Sequence, residues 1–150
     1  MKSLAAILVR LNKPLVLDEI EIPKLTYGQV LVKVTHSGIC GSQLGEIDGV
    51  KGKDDYLPHL LGHEGAGIVI DCGEGVTTVK QDSKVVLHWR LGDGIQSPPP
   101  IYKSKSLGVI NAGWVTTFNE YAVVSENRIT SISEDFDPEI GALMGCAVTT

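Results

Sequence analysis

Short apolar runs, several with polar residues at alternate positions, recur along the first ninety residues and are cut apart by glycine, proline and asparagine. Residues 4–10, 15–22 and 29–34 are three such runs, separated by Asn12-Lys13-Pro14 and by turn material at 23–28. Val30, Val32 and Val34 share one face at period two with Lys33 on the other, as in a half-buried strand. Residues 67–72 make another run, ended by Gly73-Glu74-Gly75, and residues 84–89 a further one. Several short strands at this spacing predict a mainly β domain, a barrel or a sandwich. Over residues 91–113 the pattern dissolves: Gly92-Asp93-Gly94 and the run Pro98-Pro99-Pro100 impose a loop. Residues 114–124 resume as strand. Asp137-Pro138-Glu139 then reads as a helix start, with Asp as N-cap and Pro at the first helical position. That helix carries Ile140, Leu143 and Met144, with Cys146 close to its end.

Composition narrows the partners. A chain of 150 residues with 43% hydrophobic content is most simply one domain, burying about 70% of the surface its unfolded form exposes. Eighteen acidic against thirteen basic residues leave a net charge of −5, and the basic residues form no stripe. Both facts argue against a nucleic-acid partner, which clustered Lys and Arg would be needed to hold. The apolar run after Met1-Lys2-Ser3 lasts six residues before Arg10, with no small-residue cleavage site, which is not a secretory signal. No segment is long and apolar enough to span a bilayer. Cys40, Cys72 and Cys146 make no disulfide framework, so the expectation is a cytoplasmic protein with reduced thiols and no membrane partner.

Candidate chemistry centres on Gly62-His63-Glu64-Gly65-Ala66-Gly67, where an imidazole sits in a glycine-lined turn before an apolar strand. Cys40, in Ser37-Gly38-Ile39-Cys40-Gly41-Ser42, and Cys146 are the other two candidates. Thiolate and imidazole are preferred zinc ligands, and a catalytic zinc typically has three protein ligands and one open position. The spacing of three remote residues supports this weakly. Taken singly, a cysteine is more often a buried small hydrophobe and a histidine a hydrogen-bonded core residue. That structural reading is kept for Cys72, His36, His59 and His88.

Five segments in order carry a family resemblance. Leu57-Pro58-His59-Leu60-Leu61-Gly62-His63-Glu64-Gly65-Ala66-Gly67 resembles the zinc signature of the zinc-containing medium-chain alcohol dehydrogenases. The Cys40 segment resembles the family's first-ligand segment, and Gly73-Glu74-Gly75-Val76 through Lys84-Val85-Val86-Leu87 its strand-turn-strand. Phe118-Asn119-Glu120-Tyr121-Ala122 is similar to its F-x-E-Y strand, and Ala142-Leu143-Met144-Gly145-Cys146 to its third-ligand helix. The resemblance implies a GroES-like, partly open β-barrel with a few short helices, in which Cys40, His63 and Cys146 hold one catalytic Zn2+. It further implies that Glu64 lies near the metal and exchanges onto it. Ser42 matches the hydroxyl that passes the alcohol proton outward, or else caps the short helix after the ligand loop. Trp89 matches a position near the substrate pocket, or is simply core. In the family's chemistry the zinc is a Lewis acid toward the alcohol oxygen while NAD or NADP takes a hydride.

The departures matter as much. The chain's three cysteines exclude the four-cysteine structural zinc that many relatives carry in the lobe equivalent to 91–113. Gln43 stands where the family usually has an acidic residue orienting the ligand histidine, and Gly45 cannot relay a proton. No G-x-G-x-x-G occurs; Gly62, Gly65 and Gly67 have the wrong spacing and precede a strand. The resemblance therefore implies that residues 1–150 are the GroES-like catalytic domain of a longer alcohol or polyol dehydrogenase, inactive alone. NAD or NADP would bind in the full-length enzyme, a homo-oligomer acting on a small-molecule alcohol or polyol. The alternatives are a non-catalytic GroES-like binding or assembly module and a zinc-free reductase, the latter requiring lost ligand positions.

Overall fold

The computed structural model of the chain describes residues 1–149. In chain order its elements are β1 (Lys2–Leu8), β2 (Val16–Glu21), β3 (Gln29–Ser37), α1 (Gly41–Ile47), β4 (His59–Leu60), β5 (Glu64–Cys72) and β6 (Lys84–His88). They continue as β7 (Tyr102–Ser104), β8 (Gly108–Ile110), β9 (Tyr121–Ser125), a single 3-10 turn (Glu126–Arg128), β10 (Ile129–Ser131) and α2 (Pro138–Met144). Two five-stranded antiparallel sheets result, in the orders β4-β1-β2-β7-β8 and β10-β6-β5-β3-β9.

Period-two patterning explains the layering. On β3, Val30 and Val32 enter a cluster with Val69, Val85, Leu87 and Val124, while Leu31 turns to a second cluster with Ile7, Ile20 and Tyr102. The central strand is thus buried on both faces, and its two sides belong to two cores. Register shifts between Leu31 and Val32 and between Val34 and His36 bend β3 against β5. Residues 118–120 lace the sheets together: Ala6 N–H donates to Phe118 O (2.8 Å), Glu120 N–H to Leu4 O (3.0 Å) and Val34 N–H to Glu120 O (2.9 Å). The product is the mainly β, partly open barrel expected.

Two local expectations change and a third holds. Residues 114–120 are not strand, because the N–H groups of Thr117 and Phe118 both turn to Leu61 O (3.1 Å each) instead of a ladder. Residues 91–113 are not all loop: β7 and β8 form a hairpin pinned by the fully buried Tyr102, whose hydroxyl accepts the Val123 N–H (2.7 Å). Helix α2 begins as predicted, with the Asp137 carboxylate accepting the Glu139 N–H (2.8 Å). Its apolar residues Ile140, Leu143 and Met144 are exposed, however, and it packs through Gly141 and Ala142.

One buried charge ties the loops. Glu126 is fully enclosed, and its carboxylate accepts from Thr77 N–H (2.7 Å), Thr78 N–H (2.9 Å), Thr78 Oγ1 (3.0 Å) and Ile95 N–H (2.8 Å). Burial opposes ionisation, but these donors outweigh it and hold the carboxyl below the usual glutamate range. With a lowered folded value, this stabilisation is complete above the ordinary range and is lost as pH falls through the folded value. Glu126→Gln is therefore expected to cost about 2–3 kcal/mol at neutral pH in urea unfolding, and progressively less on acidification.

Candidate metal centre

Three segments deliver three side chains to one point. Gly62 turns the chain into β5 with φ +91°, and a Cβ there would stand 2.2 Å from Thr117 Oγ1, so the turn that aims His63 needs glycine. Cys40 is the N-cap of α1, just past β3. Cys146 follows α2 and is buried; Gly145 before it lies so close to the sheet that a Cβ would meet Leu87 O at 2.3 Å. The ligand atoms of Cys40, His63 and Cys146 all fall within 4.8 Å of one another, and the two sulfurs are 3.7 Å apart. Two thiolates on one tetrahedral zinc would be about 3.8 Å apart, given Zn–S bonds of about 2.3 Å.

The surroundings of Cys40 and His63 shift both toward the forms a metal binds. His63 Nε2 is buried without a hydrogen-bond partner, while Nδ1 is 2.6 Å from the Gln43 amide. Gln43 is itself buried, and its Oε1 has no partner either. An amide turns either end to a ring. Only the oxygen-facing arrangement makes Nδ1 the donor and leaves Nε2 a free lone pair. Burial lowers the His63 pKa, against the carboxylates of Glu64 and Glu46, which favours neutral imidazole. The Cys40 thiol is lowered by the Ser42 hydroxyl and then its N–H, against burial; the Cys146 sulfur helps and Glu64 opposes. Neutral imidazole and thiolate are the ligand forms.

The remaining site candidates are placed differently. Glu64 is buried outside the three-ligand group. Its Oε2 accepts the Ala147 N–H (2.9 Å) and its main-chain oxygen the Gly38 N–H (3.1 Å), so it clamps the Cys40 and Cys146 segments to β5. Ser42 lies within α1, whose N-cap is Cys40, so it does not take the N-cap position. Its hydroxyl instead serves the Cys40 sulfur. Trp89 is half exposed and follows β6, one residue beyond the Glu64–His88 pair that ends the β5–β6 ladder, and it is not among the residues lining the cavity beside His63. A cavity of about 520 Å³ abuts the centre, lined among others by His63, Gln43, Glu46, Tyr56, Asp54 and His59.

Sequence reasoning missed the pairing of His59 with Asp54 (2.9 Å), which holds one wall of that cavity. The residues had no motif to announce it. His59 Nδ1 also meets Leu60 O, His88 is engaged by Thr130 Oγ1 and Arg90 O, and His36 by Thr35 Oγ1. Cys72 sits near Val79 O, its thiol raised by burial and then by Asp71 and Glu126. Among the described residues no helix is long and apolar enough to cross a membrane.

Comparison with known proteins adds to this geometry. A family profile described as the alcohol dehydrogenase GroES-like domain matches residues 26–134, a stretch that holds Cys40 and His63 and stops short of Cys146. The S-(hydroxymethyl)glutathione dehydrogenase of Synechocystis sp. is 33% identical over 175 positions, covering 100% of this chain and 47% of that protein. The Escherichia coli protein of the same name is 32% identical with the same coverage. The chain thus spans about half the length of the curated relatives it matches. Among solved structures, an alcohol dehydrogenase zinc-binding domain protein from Burkholderia ambifaria superposes with a TM-score of 0.85 at 22% identity. It covers 99% of this chain and 46% of that one, a likeness of fold alone. An alcohol dehydrogenase from Thermotoga maritima gives 0.72 at 26% identity, over 99% and 45%. The GroES-like barrel expected from the sequence is therefore the fold found.

The electrostatics predict an order of thiol reactivity. In metal-free protein at neutral pH, iodoacetamide followed by peptide mass analysis should label Cys40 several-fold faster than Cys72, although both are half-buried. Ser42→Ala should narrow that gap.

Proposed function

The chain belongs to the family of alcohol dehydrogenase GroES-like domains, and on that premise we propose that it is the zinc-binding catalytic part of an NAD(P)-dependent alcohol or polyol dehydrogenase. The observation that carries this reading is the convergence of Cys40, His63 and Cys146 around a buried imidazole nitrogen that has no partner. Two thiolates and one neutral imidazole would hold one zinc and leave it a position open to substrate. A zinc bound there supplies Lewis acidity toward an alcohol or carbonyl oxygen.

The chain's own residues do the rest. The Gln43 amide sits against His63 Nδ1 and fixes the ring; turned oxygen-first, it would accept the Nδ1 proton and leave Nε2 for the metal. Glu64 keeps the Cys40 and Cys146 segments at their spacing through Gly38 and Ala147. The exposed Ser42, beside the Cys40 sulfur, is placed to hold a substrate proton on its Oγ and release it to water. Trp89, half exposed just past β6, would offer its indole to the substrate. The chain spans about half of its relatives; on this reading the nicotinamide site belongs to the rest of a full-length, homo-oligomeric enzyme. S-(hydroxymethyl)glutathione, in the names of the curated relatives, is one alcohol to assay in that enzyme. A non-catalytic module would have no use for two thiols and an imidazole brought together.

Metal analysis tests this. Freshly purified protein should contain about one zinc per chain, and Cys40→Ser, His63→Ala or Cys146→Ser should each remove most of it. Gln43→Leu should weaken zinc affinity about 10–100-fold, and Gln43→Glu should strengthen it. Zinc far below stoichiometric and indifferent to these substitutions would sink the reading.

A further inference from the structure

The cavity beside the metal centre holds an acid that the fold does not use. Its volume of about 520 Å³ is that of a small-molecule site, and His63 and Glu46 both line it. Most of its other charges are spent. The Asp54 carboxylate accepts from His59 Nε2 (2.9 Å) and from the Tyr56 N–H (2.8 Å), and Lys53 pairs with Asp55. That leaves the exposed Lys51 and the half-buried Glu46. Among the described residues neither has an ion-pair partner, and no donor reaches the Glu46 carboxylate.

Glu46 belongs to the helix that serves the centre. It is three residues from Gln43 on α1, so the two share a helix face, and both line the cavity. Gln43 meets His63 Nδ1 at 2.6 Å, and the Glu46 carboxylate is near enough to favour the charged form of the same ring. An ionised carboxylate only accepts, at about four lone-pair sites. Glu126 shows such an acid fully used, with four donors on it. Glu46 has the same capacity and none of the donors. The two uncommitted lining charges, Lys51 and Glu46, are of opposite sign, so a charged ligand gains no net field from them. A neutral molecule with several hydroxyls can donate to the acid through charge-assisted bonds, while Leu61 and Val115 offer apolar lining to its carbon chain.

We propose that Glu46 is a specificity residue of this cavity: its carboxylate accepts from a further hydroxyl of a neutral polyhydroxylated molecule whose reacting alcohol or carbonyl faces Cys40, His63 and Cys146. The reacting end rests on the dehydrogenase reading; the Glu46 end needs no metal. The centre then selects polyols over alcohols with a single hydroxyl, because the latter leave the acid without a donor.

The test is a titration of the chain with three four-carbon probes: erythritol, 1-butanol and the cationic 4-aminobutan-1-ol. Binding is followed by NMR through the backbone amides of Gly45, Gly49 and Gly62, which line the cavity. Erythritol should bind at least about 10-fold more tightly than 1-butanol. Glu46→Ala should abolish that preference and leave 1-butanol unchanged, whereas Glu46→Asp should keep part of it. Equal affinity for erythritol and 1-butanol, no erythritol binding at about 100 mM, or a preference that survives Glu46→Ala overturns the proposal. So does tighter, Glu46-dependent binding of the amino alcohol, which would make the acid a cation site. The comparison of probes on the unaltered chain needs no variant to fold. A protein that takes up no zinc yet prefers erythritol through Glu46 keeps this proposal and loses the dehydrogenase reading. One that takes up zinc and shows no such preference does the reverse.

Discussion

The start of β5 is the constraint on which the site depends, and Glu64 is its clamp. His63 is aimed by the residue before Glu64, yet Cys40 and Cys146 come from segments 106 residues apart in sequence. Both are fastened to the same residue: Gly38 N–H reaches the Glu64 main chain and Ala147 N–H its carboxylate. Gly145 presses against the Glu64 backbone so closely that a side chain there would not fit. A buried carboxylate is costly unless hydrogen-bonded. Spending one on the two loops that bring the sulfurs trades stability for geometry, which a three-donor centre needs more than a barrel does.

Electrostatics around that clamp are divided. Glu64 works against the Cys40 thiolate and favours a charged His63, both unhelpful to metal binding. Local terms overcome it: the Ser42 hydroxyl at Cys40, and burial at His63. Gln43 fits this balance. A neutral amide steers the ring without adding another carboxylate to the two, Glu64 and Glu46, that already act on His63. The departure from the family's acidic residue at this position thus has a physical context in the chain's own charges.

What could be read from the sequence was what is local or periodic. The Asp137-Pro138 helix start is decided within three residues, and the Val30–Val32 alternation within five. The β7–β8 hairpin was not legible, because its three-residue strands depend on burying Tyr102 against β9. Residues 114–120 carry strand-like residues but spend their N–H groups on Leu61. The apolar residues of α2 were legible but not how it packs: the helix touches the sheet through its small residues. At the site, glycine-lined His63 stood out, while Cys40 and Cys146 gained meaning from the resemblance and not from their spacing. The His59–Asp54 pair and the Glu64 clamp are purely tertiary and left no pattern to find.

The 3-10 turn shows how burial alone misleads. Glu126 and Arg128 are opposite charges two residues apart, both buried, and they do not pair. Glu126 faces inward across the loops and is satisfied by four donors, so its charge is consumed in holding residues 77–78 and 95. Arg128 lies over the half-exposed Trp114 ring and donates from Nη1 to the Trp89 carbonyl. Pairing the two would have been the simplest way to neutralise both. Their separation means that the acid is committed to holding the loops, while the base rests on the Trp89 carbonyl and the Trp114 ring.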